Sequence, residues 1–447
     1  MTPQVRAAAD VAPSNEDPAV AALSEGLGGP WGAHARARRW WTPVRVLLTL
    51  SGVAWVLGML LKTPCAADAW QRPGADFGRG CWNDWGWAGL GQPGGATTAD
   101  LPPVPGLVAA LGRLSSRGVD ASADRVLVAA ALTAVLVAIG MALATVLLTR
   151  TTAGRPWDAA VLALAPMAVL TWVTSWHVLA AIALAVALWA WARGRAITAG
   201  VATGLAAAIV LSSAALLIAM VVVARRGGRV QRRVTLDACA AATFTWLAFA
   251  VPPFIISGAV RDTWWLRPID SGSLWLVASQ ASDTEIATRT VVLVGGAVWL
   301  AWTAVVVRIA LRSKAAPSVA QVARVALPLV AGALLVSSEL PPGAGLVLLP
   351  LAAVAVPRWG VIAVWQACEV VHLVVTGFYY AGWMAPADGG DVKVLWFVIV
   401  LRAAGLVWLA AHAVWRIRSG DLDPVEVGGG VADPDIDLLA DRGHPGA

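Results

Sequence analysis

The sequence predicts an all-α protein that threads a membrane through about twelve segments, and three observations carry that expectation. Hydrophobic residues make up 58% of the chain and charged residues only 13%, whereas a soluble domain carries about 25% charged residues. Apolar runs of helix-spanning length recur from Val46 to Trp415 with short polar stretches between them, and a helix satisfies its own backbone hydrogen bonds in lipid. Tryptophan is heavily favoured, 25 against 2 Tyr and 6 Phe. Many indoles end an apolar run, among them Trp40, Trp41, Trp157, Trp264, Trp265, Trp359 and Trp383, which suits anchoring at the membrane interface.

In order, spans are expected near 46–61, 125–148, 157–171, 175–192, 235–256, 290–311, 322–337, 343–356, 360–382 and 394–415. The stretch 196–224 is ambiguous, 29 residues long with Arg-rich flanks on both sides. Both flanks belong on the cytoplasmic side by the positive-inside rule, so an even number of crossings is needed. Two short helices meeting near Leu211-Ser212-Ser213 satisfy this. Two long outer loops remain, 62–124 and 257–289, each with an expected interfacial helix, Val104 to Leu114 and Gly272 to Ala287.

Basic clusters at Arg36 to Arg39, Arg150 to Arg155, Arg193 to Arg195, Arg225 to Arg233 and Arg308 to Lys314 set the topology and are not read as a nucleic-acid surface. Residues 1–40 contain no apolar core before Trp40 and are read as a disordered cytoplasmic end. Residues 41–418 form one transmembrane domain without internal repeat. The stretch 419–447 is acidic and Gly/Pro-rich, with Asp421, Asp423, Glu426, Asp433, Asp435, Asp437 and Asp441, and is read as a disordered cytoplasmic tail. Both termini thus face the cytoplasm, and the lipid bilayer is the first expected partner.

The chemistry-bearing residues gather after the first apolar run, where Lys62-Thr63-Pro64-Cys65 is followed by Cys81-Trp82-Asn83-Asp84. Cys65 and Cys81 share one outer loop in an oxidising compartment, so a disulfide is expected, worth about 3 kcal/mol on the chain-entropy model. No His lies nearby to complete a zinc site, and no metal is expected. Cys239 and Cys368 fall inside apolar spans and read as core. Asp84 has two readings. It is a solvated loop carboxylate, or it is a general base that deprotonates a hydroxyl attacking an activated sugar carbon. A leaving phosphate needs a nearby cation, for which Lys62, Arg79 and Arg267 are candidates. His177 is a secondary candidate base, but the interfacial reading is preferred because no acidic residue adjoins it. Glu369 and His372 lie three apart on one helical face within a span.

Several ordered motifs carry a resemblance. They are Lys62 to Cys65, Trp70, Cys81 to Asp84, Trp157-Asp158 with Ala165-Pro166, Trp191 to Arg195, Gly272 to Trp275, Pro357 to Trp359 and Trp365 to Glu369. Over residues 40 to 418 the chain resembles the actinobacterial branch of the family-87 glycosyltransferases. These are polytopic enzymes of GT-C fold, similar to polyprenyl-phosphate-mannose-dependent mannosyltransferases. The resemblance implies a plasma-membrane protein of a high-GC Gram-positive bacterium, using a polyprenyl-phosphate sugar donor, with mannose the expected sugar. The acceptor it implies is a cell-envelope glycolipid or glycan on the outer face, and no cofactor is implied. It also places Glu369 in a structural helix-packing element.

The chain departs from the family at Ser175-Trp176-His177, where relatives carry Asn-Trp-Asp. It departs again at Ala208 to Leu211, which lacks a Lys, and at Ser338 to Gly343, where an Asn-Lys is replaced and Glu339 is acidic. Two rival functions therefore stand beside the transferase: a non-catalytic relative that binds lipid-linked sugar or scaffolds envelope proteins, and a transporter. The absent repeat and the scarcity of intramembrane charge weigh against the transporter.

Overall fold

The computed structural model describes residues 43–68, 77–81, 83–85, 106, 122–152, 155–256, 269, 272–384 and 391–419. The two chain ends, most of the expected helix Val104 to Leu114, and Arg267 lie outside the described residues. All regular structure among the described residues is helical. Six helices are long and apolar enough to cross a membrane: α1 (Pro43–Leu61), α3 (Ser122–Thr151), α9 (Arg229–Ile256), α11 (Thr288–Arg312), α14 (Trp359–Tyr380) and α15 (Val392–Ser419). They turn bare apolar side chains outward, such as Leu57, Phe244, Leu293 and Phe397. Such faces are stable only against lipid, and the protein is a helical membrane protein.

Between the long helices lie shorter ones: α2 (Thr63–Ala67), α4 (Ala160–Ala163), α5 (Pro166–Thr171), α6 (His177–Ala192), α7 (Ala196–Ile209) and α8 (Ala215–Arg225). Further along come α10 (Leu274–Ala281), α12 (Val319–Leu335) and α13 (Leu349–Ala355). Single 3-10 turns at Pro156–Ala159, Leu211–Ala214 and Pro342–Leu348 complete the list.

Two expected spans are interrupted. The span expected over 157–171 breaks at Leu164 and Ala165, because Pro166 begins a new helix. The freed backbone N–H of Met167 donates to Gln366 Oε1 at 3.1 Å. The expected span 343–356 is a 3-10 turn followed by seven helical residues, with Pro342 and Pro350 each in the first turn of its element. The interfacial helix expected over Gly272 to Ala287 is likewise shorter. It stops at Ala281, where Ser282 Oγ bonds Ala278 O and Asp283 takes a left-handed φ of 50°.

The stretch 196–224 is two helices that meet at an extended Val210 (φ −134°, ψ 107°). Gly200 sits against Ala238 and Gly204 against Ala242, with no room for a Cβ at either. Both numbers rise together, so α7 and α9 run parallel. The chain between them must therefore turn back through α8, which brings Arg195 and Arg225 to one end of the molecule.

Other basic flanks collect at ends of helices. Arg226 donates to Ala315 O, and Arg358 lies over the Trp415 ring at 5.3 Å. Arg155 pairs with Asp158 at 3.0 Å, and Asp158 in turn accepts from Trp359 Nε1 at 3.1 Å. Inside the bundle, polar side chains bond their own helices. Thr133, Thr145, Thr149 and Thr151 of α3 each donate to the carbonyl four residues back, the usual answer to a hydroxyl in lipid. Trp299 and Trp302 tie α11 to α12 by donating to Leu329 O and Pro328 O.

Glu369 does not pair with His372. Its Oε2 accepts from Arg402 Nε on α15 at 2.8 Å, with both side chains fully buried, and its Oε1 accepts from Trp365 Nε1 at 3.1 Å. Arg402 spends its remaining donors on the carbonyls of Leu340, Pro341 and Pro342. Breaking a buried ion pair from one side strands a charge, at a cost of about 3–5 kcal/mol. Arg402→Met should therefore lower the thermal midpoint sharply, while Arg402→Met/Glu369→Leu loses less than that single change; melts in one detergent would check this, and a wild-type midpoint for Arg402→Met would contradict it.

Candidate functional site

The site begins with the loop after α1. Cys65 Sγ and Cys81 Sγ are bonded, with their Cα atoms 5.5 Å apart. Residues 83–85 then dock on the end of the third apolar segment. The Asp84 N–H donates to Thr174 O at 2.8 Å, and Trp85, fully buried, donates from Nε1 to Val173 O at 3.0 Å. Asn83 Oδ1 accepts from the Trp85 N–H. These bonds carry the Asp84 carboxylate to Ser175 and His177, across about ninety positions of chain.

There the three side chains form one cluster. Ser175 Oγ donates to Asp84 Oδ2 at 2.7 Å and lies 3.0 Å from His177 Nδ1. His177 Nδ1 is 3.6 Å from Asp84 Oδ2. The His177 ring stacks on Trp176 with centroids 3.9 Å apart. An acidic residue therefore does adjoin His177, distant in sequence and close in space. Gly343 closes the cluster from the opposite side. A Cβ there would overlap Ser175 Oγ and reach within 3.8 Å of Asp84 Oδ2, so only glycine fits.

Beside the cluster is a cavity of about 680 Å³. Trp176 and His177 form part of its wall, with Trp246 of α9, Trp299 of α11, Ser212 at the α7–α8 break and Glu339 before the turn Pro342–Leu348. Both α9 and α11 pack on α8, and each contributes a tryptophan to the cavity wall. Leu211, another wall residue, is 58% exposed, so the cavity is reached from outside. Ser212 Oγ is buried without a hydrogen-bond partner. No Lys or Arg is among the described wall residues.

The candidate phosphate-binding cations stand apart from this cavity. Lys62, just before the disulfide loop, is buried and donates to Gly80 O within it. Arg79 is half-exposed and pairs with Asp68 at 3.3 Å. Neither lines the cavity. No group of three or more His, Cys, Asp or Glu suited to a metal occurs among the described residues. Trp246, Trp299 and the contact between Ser175 and Asp84 were not legible as site features in the sequence. The one available signal was the polar Ser175-Trp176-His177 triplet at the end of an apolar run. No family model, curated protein or solved structure matches the chain.

Burial lowers the Lys62 ammonium from 10.5 to about 8. Between those two values the unfolded chain holds the proton and the folded chain does not, so stability rises with pH across that window, by at most about 1.4 kcal/mol per pH unit. Denaturant melts from pH 7.5 to 10.5 should show this rise in the wild type and a flatter profile in Lys62→Met; identical profiles would contradict the burial of the ammonium.

Proposed function

We propose that the protein is a membrane glycosyltransferase of GT-C type, with about twelve membrane segments and both termini cytoplasmic. It moves a sugar, mannose on the family resemblance, from a polyprenyl-phosphate donor to a cell-envelope glycolipid or glycan on the outer face of the plasma membrane. The observation that carries this reading is the Asp84–Ser175–His177 cluster set against a Trp-walled cavity. The chemistry needs a base for the acceptor hydroxyl, a surface for the sugar and room for an isoprenoid. The cluster supplies the base, with Asp84 as its carboxylate. Indole faces of Trp176, Trp246 and Trp299 suit a sugar ring, and the apolar wall shared by α8, α9 and α11 suits a lipid chain.

A second reading has its own observation. The described cavity wall carries Glu339 and no cation, whereas a departing phosphate is ordinarily met by positive charge. That favours a non-catalytic relative that holds lipid-linked sugar.

Transfer from a radiolabelled polyprenyl-phosphate mannose separates the two. A positioned base is worth about 10²–10⁴ in rate, so Asp84→Asn should lose transfer by that factor while the disulfide and the yield persist. Full activity in Asp84→Asn removes the carboxylate from the mechanism. Absent turnover in the wild type, with donor binding strengthened in Glu339→Lys or Leu211→Lys, establishes the second reading.

A further inference from the structure

Within the cluster, the side chains differ in what they face. His177 lines the cavity; Asp84 and Ser175 do not. Both side chains are largely buried, His177 at 6% and Asp84 at 8% exposure, so it is the place of His177 in the cavity wall that separates them. A group that must touch a ligand in this cavity is therefore the imidazole.

Hydrogen-bond accounting then assigns the imidazole's proton. A carboxylate only accepts, so the single Ser175 hydroxyl proton is committed to Asp84 Oδ2 at 2.7 Å. The same Oγ meets His177 Nδ1 at 3.0 Å. With its proton given away, Oγ can only accept there, so Nδ1 carries the N–H. In a neutral imidazole the other nitrogen is then a bare lone pair. Among the described residues, Nε2 has no hydrogen-bond partner, and it is not among the atoms sealed from solvent.

We propose that His177 Nε2 is the atom that takes the acceptor's proton, and that Ser175 and Asp84 are positioning residues acting through Nδ1. The assignment rests on the transferase reading and deepens it. As the acceptor oxygen attacks the anomeric carbon, its O–H bond breaks and the proton passes to Nε2. The bond from that carbon to the phosphate oxygen breaks, and its electron pair leaves with the lipid phosphate. The resulting imidazolium keeps its Nδ1–H on Ser175, has the Asp84 carboxylate 3.6 Å away, and lies against the Trp176 face.

The test uses the full-length protein in lipid nanodiscs, ¹⁵N-labelled at histidine, with two readouts. Solid-state ¹⁵N spectra, with the His177 signals identified by their loss in His177→Gln, report the tautomer directly. The expected result is a neutral ring protonated at Nδ1, with that preference lost in Ser175→Ala. A ring protonated at Nε2, or a spectrum unchanged in Ser175→Ala, overturns the relay. In transfer assays His177→Gln should lower kcat about 10²–10⁴-fold with KM kept. Asp84→Asn/His177→Gln should be no slower than His177→Gln, because groups acting as a unit are not additive. Unchanged kcat in His177→Gln overturns the assignment while leaving the transferase reading intact. Absent turnover in the wild type overturns the transferase reading and the catalytic step with it, and the tautomer spectrum still decides whether Asp84 orients His177 through Ser175.

Discussion

The geometry of the site depends on one buried guanidinium. Arg402 projects from the middle of α15 into a fully buried position, pairs with Glu369 of α14, and gathers the carbonyls of Leu340, Pro341 and Pro342. Two buried charges cost several kcal/mol to desolvate, and only close geometry and full hydrogen bonding offset that cost. Here both conditions hold, since Trp365 also serves Glu369 and three carbonyls serve Arg402. The consequence reaches the cluster. Fixing Pro341 and Pro342 sets the start of the turn Pro342–Leu348. That places Gly343 against Ser175 and Asp84, and Gly345 against the Glu369 carboxylate. Gly272, at φ +89°, is pressed onto Leu340 O from the other side. A side chain at that position would meet both a left-handed backbone and a carbonyl.

A second constraint shapes the cavity. Gly200 and Gly204 let α7 lie directly on α9, and the extended Val210 ends α7 after fourteen residues. A helix of that length rises about 21 Å, short of the roughly 30 Å hydrocarbon core. Irregular backbone in an apolar layer is tolerated only if it is buried or lines a cavity. The break does both: Ser213 is fully buried and Ser212 faces the cavity.

Much of the fold was legible because lipid imposes so few solutions. Apolar length located the long helices, and Arg on both flanks of 196–224 required a reversal that the parallel packing of α7 and α9 displays. The shared loop of Cys65 and Cys81 placed them together. Local pattern could not reveal contacts made across the chain. Pro166 was readable as a motif, but the break it makes depends on Gln366, two hundred positions away. Glu369 was read as a helix-packing contact from the family resemblance, but its counter-charge, Arg402, lies on the next helix and no local pattern pointed to it. His177 was discounted for want of an acid, and the acid came from the disulfide loop. Lys62 and Arg79 were proposed from their charge and outer-loop position; in the structure Lys62 donates to Gly80 O and Arg79 pairs with Asp68.

The proposed function places the sugar of a lipid-linked donor in the cavity beside His177. A structure in nanodiscs with a non-hydrolysable isoprenyl-phosphonate mannose analogue tests it most directly. The expected result is the isoprenoid along the wall of α8, α9 and α11, the mannose ring among Trp176, Trp246 and Trp299, and its anomeric carbon facing His177. A ligand held instead by Lys62 and Arg79 on the disulfide loop, with the cavity beside His177 unfilled, would contradict it.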